Sequence, residues 1–225
     1  MVPTVNASPS LNPITSQADN MITRGILEIP ADAKGIIIFA HGIDSSNRNP
    51  RNRLVARTLL QRGFGVLLPD LSDETEDDSE PAPANDLEEI NRTAKRLTAI
   101  IDWLAENPVT SGLRIGLFGG RTGAAVTMIA AALRPNKVHA VISRGGRPDL
   151  ADDLLAKVEA PTLMIVGSND PAHIDHNRKA CAKMRVRSML ELIPGANHLF
   201  GEPGKLELLA SISCLWFQRN LAMCG

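Results

Sequence analysis

The chain of 225 residues lacks a surplus of either charge: 24 basic side chains stand against 25 acidic ones, and the isoelectric point is near 6.5. Such a balance offers no general attraction to nucleic acid or to anionic lipid, so a charged ligand has to be held by a local cluster. Cysteine is scarce as well. Cys181, Cys214 and Cys224 are odd in number, have no metal-site spacing and fall in or just after helix-like stretches. They read as reduced structural thiols, with neither a metal nor a cofactor implied. No basic start with an apolar run behind it opens the chain, and no later apolar stretch reaches about 18 residues. The expectation is a cytoplasmic protein with no membrane partner.

Residues 1–22, rich in Ser, Asn and Pro, read as a flexible arm, and the length behind them suits one domain, 23–225. That part alternates short apolar runs with longer amphipathic stretches. The β-type runs fall at about 25–29, 35–40, 65–69, 113–118, 138–143, 162–167 and 188–193. Most are too continuous in Ile, Leu and Val to be half-exposed, so they belong in a buried, mainly parallel sheet. Helical periodicity appears at about 51–62, 86–106, 122–133, 173–185 and 203–219. Leu87, Ile90, Ala94, Leu97, Ile101 and Leu104 recur at steps of three and four, which places them on one face. The expected class is α/β, helices on both faces of the sheet. Between Leu71 and Ala84 the acidic, Pro-containing run SDETEDDSEPAPA reads as a solvated loop, or alternatively as a flap that repels anions.

The chemistry concentrates at strand ends. The run LRIGLF enters Gly119-Gly120-Arg121-Thr122-Gly123 and then the small-residue helix AAVTMIAAAL. Strand, tight turn and Ala-rich helix are the context of the nucleophile elbow G-x-S-x-G of α/β-hydrolases, whose flanking glycines leave room where side chains would collide. Only the reactive side chain is missing. In that fold an acid and then a histidine follow the nucleophile in the chain. Asp170 comes just after TLMIVG and His198 just after SMLELI, at the strand ends where open parallel sheets place their sites. Asp170 is the expected orienting acid and His198 the expected base, although an Asp before Pro171 also suits a helix cap. The oxyanion hole falls to the backbone N–H groups of Thr122 and Ile43, with Gly42 allowing close approach. His41, beside them, suits a structural hydrogen-bonding role better than that of a base.

These residues resemble the dienelactone hydrolase family, and in particular a bacterial branch sometimes fused to phosphoribosyltransferase domains. The resemblance rests on FAHGIDSSNRNPRN, IDWLAENPVTSGLRIGLFGGRTGAA, VISRGGRPDLA, APTLMIVGSND and PGANHLFGEPG, and it covers nearly all of the chain after about Gly25. It implies ester or lactone hydrolysis through an acyl-enzyme. The family elbow reads like GLFGASTGAA, so the departures fall on Gly120 and Arg121. A guanidinium stays protonated and has no lone pair suited to attack a carbonyl, so Arg121 cannot replace Ser or Cys. Thr122 follows the apex and does not rescue the register. Ser45, Ser46, Ser143 and Ser168 could line the cavity, but none lies on the elbow.

Arginine also changes what the pocket attracts. With Arg144 or Arg147 beside Arg121, guanidiniums and free N–H groups form a site for a carboxylate or phosphate. The competing arrangement pairs Arg144 and Arg147 with acids such as Asp149, Asp152 or Asp153, and Arg121 with Asp170. The first reading is therefore a small-molecule site for an ester, lactone or anion with the acyl-enzyme step impaired. A second is a working ester or lactone hydrolase in which His198 activates water. A third is a non-catalytic assembly protein, a homo-oligomer joined through the apolar C-terminal helix SISCLWFQRNLAM.

Overall fold

The computed structural model describes residues 25–40, 49–71 and 86–221, together with the backbone of residues 14–15 and 22–23. Seven strands form one sheet: β3 (Gly25–Glu28), β4 (Ile36–Ala40), β5 (Gly65–Pro69), β6 (Ile115–Gly120), β7 (Val138–Arg144), β8 (Thr162–Gly167) and β9 (Ser188–Ile193). Their order is β3-β5-β4-β6-β7-β8-β9. Only β3 runs antiparallel to its neighbour. In the N-terminal region β1 (Ile14–Thr15) pairs with β2 (Ile22–Thr23) in a separate antiparallel ribbon. Both segments are Ile-Thr pairs, β-branched residues that favour extended backbone.

The central strands carry apolar side chains on both faces, which demands a helical layer on each side. Helices α1 (Pro50–Gln61) and α5 (Lys205–Leu221) cover one face, over Ile37, Phe39, Phe118 and Ile142. On the other face α2 (Leu87–Glu106) and α3 (Gly123–Leu133) pack over Ile38, Leu117 and Val141. Helix α4 (Pro171–Lys183) lies beyond them and adds Ala180 to the same core. Asp86 starts α2 by accepting the Glu88 and Glu89 N–H groups at 2.9 and 3.3 Å, and the two acids complement the helix dipole. The predicted apolar face of α2 is buried from Ile90 to Leu104, while Leu87, its first residue, is exposed.

One element has no counterpart in the sequence reading. A 3-10 stretch, Pro148–Lys157, kinks at Asp152, where φ is 45°. It is too short and irregular to leave a helical period. The acidic run after Leu71 and the third cysteine, Cys224, lie outside the described residues.

Helix α5 bears on the assembly reading. Its apolar residues Cys214, Trp216, Phe217 and Leu221 are buried against the protein's own sheet, and Phe217 fits over Gly116, where any Cβ would come within 2.7 Å of its ring. The apolar face proposed for self-association is thus spent on the core, leaving Leu208 and Leu215 as exposed large side chains. Burial also pushes the Cys214 thiol above its usual range, so little thiolate forms at neutral pH. Brief alkylation with iodoacetamide at pH 7.5, read by peptide mass mapping, should leave Cys214 unmodified in the native protein and modify it in urea. Full native labelling would contradict this packing.

Candidate functional site at the elbow

The end of β6, the start of α3 and the turn between them place Arg121 at an apex. Its φ is 57°, a left-handed conformation uncommon for a residue with a Cβ. The turn can be this sharp because Gly119 lets the strand touch the helix: a Cβ there would lie 2.3 Å from the Gly123 carbonyl oxygen. Arg121 is exposed, and Thr122 behind it is buried and opens α3. A reactive group belongs at such an apex, and the guanidinium side chain holds the place.

The loop after β7 grips the turn from behind. The Arg147 N–H donates to the Arg121 carbonyl at 3.0 Å, and Asn177 Nδ2 of α4 donates to the Gly146 carbonyl at 3.0 Å. At Gly146 a Cβ would come within 2.5 Å of Ala124 and 2.7 Å of the Arg121 oxygen. Gly146 is therefore a steric requirement of the elbow, and Gly145, at φ 48°, makes room for the His198 carbonyl instead; the sequence reading missed both roles, although two adjacent glycines just past a strand signalled them.

The acid and the base do not meet as expected. Asp170 caps α4, its Oδ1 accepting the His173 N–H at 3.2 Å, while its Oδ2 lies 2.7 Å from His173 Nδ1. That approach is at ion-pair distance but off the direction of a hydrogen bond, and both atoms are buried. His198 is exposed and stacks on His173, ring centres 5.9 Å apart and planes 11° from parallel. No ion pair joins Asp170 to His198 or to Arg121 among the described residues. In the structure Asp170 faces His173, and His198 stacks on that same histidine. The cause is local: an Asp at the cap and a His three residues on face each other across the first helical turn. That spacing, Asp-Pro-Ala-His, was the available signal.

The arginines separate. Arg147 forms a two-pronged ion pair with Asp149, both contacts at 2.9 Å, which removes it from the expected anion set. Arg144, at the end of β7, turns inward instead. Only 8% of it is exposed, its Nη1 has no hydrogen-bond partner, and the guanidinium lies 5.9 Å from the Phe118 ring centre. Burial, with Arg51 and then Arg121 adding repulsion, pushes its pKa down to about 10, so it stays charged at neutral pH. Arg51, on the first turn of α1, is the cation that sequence reasoning missed.

The alternative serines are accounted for differently. Ser168 Oγ accepts the Gly195 N–H at 2.8 Å, and Ser143 is fully buried within β7 beside Gly119. Ile43, His41, Gly42, Ser45 and Ser46 lie outside the described residues, and so does the second oxyanion donor. Among the described residues no three His, Cys, Asp or Glu side chains gather closely enough to hold a metal ion. None of the described helices is long and apolar enough to cross a membrane.

A parallel sheet with an antiparallel edge strand, an elbow after β6 and a histidine loop after β9 define a fold family, and the family model for dienelactone hydrolases matches residues 23–215. The chain belongs to the dienelactone hydrolase family. A solved dienelactone hydrolase from Anabaena variabilis is 42% identical, with a TM-score of 0.88 over 95% of this chain and 99% of that one. Est1E from Butyrivibrio proteoclasticus, 15% identical, shares the fold with a TM-score of 0.74 over 92% of this chain and 98% of its own. Among curated proteins, one named "Putative phosphoribosyl transferase" from Mycobacterium tuberculosis is 45% identical over 201 residues, 89% of this chain. The match takes up 44% of that relative, so the chain spans less than half the length of the curated proteins it resembles.

Proposed function

We propose that this hydrolase-family chain binds a small anionic molecule at the elbow and does not form an acyl-enzyme there. The observation that carries the reading is Arg121 at the apex, with φ 57°. A covalent mechanism needs a nucleophile whose proton a base can take, and a guanidinium supplies neither the lone pair nor the proton transfer. The contact of Asp170 with His173 supports the same reading, because that carboxylate already has an imidazole at 2.7 Å. What the elbow offers instead is positive charge, from Arg121 exposed at the apex and Arg144 buried beside Gly120.

The test is chemical. Incubation with an organophosphonate ester should leave the intact mass unchanged, and short-chain activated esters should be hydrolysed at the rate of buffer. Removing the nucleophile cost about 10⁶ in turnover in a well-studied serine protease, so even a faint saturable activity would be informative. A stoichiometric adduct, or burst kinetics, would overturn the reading in favour of a nucleophile elsewhere.

A further inference from the structure

We propose that Arg144 and Arg51 form a seat for the phosphate group of a small phosphate monoester beside the elbow. The inference rests on the reading of the elbow as an anion site and names the class of anion. A charged group nine-tenths buried is normally paired, because desolvating an unpaired ion costs several kcal/mol even after relaxation. Arg144 is 8% exposed, its Nη1 has no partner, and no carboxylate pairs with it among the described residues. The favourable contact found for it among the described residues is the Phe118 ring, worth far less than a salt bridge.

The surroundings add positive charge where a counter-ion is wanted. Arg144 lies on the sheet face of Phe118, which α1 covers, and the charge of Arg51 on the first turn of that helix repels it. Helix α1 starts there with Asn49 and Pro50, carries no acid in its first turn, and bears Arg51, Arg53 and Arg57. Its dipole contributes further positive potential at that end. Two like charges that act on each other without a carboxylate between them are balanced by a dianion and only half balanced by a monoanion. Two planar guanidinium forks also match the several oxygens of a phosphate.

The space for this arrangement is built into the elbow. Gly120 lies flat against the guanidinium, and a Cβ there would come within 2.8 Å of Nη2 and 3.2 Å of Nε. The atoms struck would be the far end of a flexible side chain, so Gly120→Ala should fold while pushing the guanidinium out of place.

Titration calorimetry at pH 7.5 with phenyl phosphate and benzenesulfonate compares a dianion with a monoanion of the same shape. Phenyl phosphate should bind at least about tenfold tighter. Arg144→Met, Arg51→Ala and Gly120→Ala should each weaken it about 10- to 100-fold, the range of a lost charge-assisted hydrogen bond. Arg147→Ala, whose side chain is committed to Asp149, should not. Binding of phenyl phosphate unchanged in both Arg144→Met and Arg51→Ala overturns the proposed seat. Equal binding of the two probes, lost together in Arg144→Met, overturns the phosphate class but leaves the anion site standing. If neither probe binds and the phosphonate labels the elbow, the anion-site reading falls as well.

Discussion

Gly119→Ala should destabilise the protein by about 3 kcal/mol or more, the upper part of the range for overpacking. The added methyl would sit 2.3 Å from the Gly123 carbonyl oxygen and 2.8 Å from its carbon and from Thr127 Oγ1. Most of these are backbone atoms at the joint of β6 and α3, where neither element can retreat without breaking its own contacts. Residues of α3 from Gly123 to Ala131 are buried, so a shift of the helix would disturb the core on both its sides. For a domain of this size the loss corresponds to a fall of about 6 to 12 °C in Tm. Gly112→Ala is the control, since nothing lies within 4 Å of its added Cβ. Surface changes of that kind stay within about 0.5 kcal/mol. Equal melting temperatures for the two variants would show that the elbow is looser than this packing implies.

Much of the architecture was legible because its physical causes are periodic. The continuous apolar runs of β4, β5 and β8 give the buried parallel sheet, and the three- and four-residue steps of α2 give its buried face from Ile90 to Leu104. The elbow was legible for another reason: Gly119 and Gly123 are demanded by a close approach that few other turns require. What stayed hidden depends on which neighbour a side chain selects. Arg144 and Arg147 are three residues apart in one glycine-rich turn, and nothing in the sequence tells which faces Asp149 and which turns under the elbow. The strand register decides it, since Arg144 pairs with Gly120 and so shares the face of Phe118. The same holds for Asp170. Its position after β8 fits a triad acid and a helix cap equally well, and only the first turn of α4 shows that it caps the helix and brings His173 within 2.7 Å. The 3-10 stretch, with no regular period, was illegible on principle.

That selection determines what it takes to restore a hydrolase. Arg121→Ser puts a hydroxyl at an apex already shaped for it and removes a cation that would oppose an imidazolium during acylation. On its own it should give only feeble ester hydrolysis. His198 can take a proton, but without a carboxylate on its Nδ1 the imidazole is neither oriented nor stabilised when charged. In a serine protease the loss of that orienting acid costs about 10⁴ in turnover. His173→Ala frees Asp170 Oδ2 from its present partner and unstacks His198, while Oδ1 still caps α4 through the backbone N–H of residue 173. The double variant Arg121→Ser/His173→Ala should therefore hydrolyse activated esters about tenfold or more faster than Arg121→Ser, with faster phosphonate labelling. The gain should vanish in Arg121→Ser/His173→Ala/Asp170→Asn, because the amide cannot stabilise the charged imidazole. Thermal melts of all three separate loss of fold from loss of chemistry. If Arg121→Ser alone already matches the double variant, then Asp170 reaches His198 despite His173, and the contact between Asp170 and His173 does not restrain the catalytic geometry.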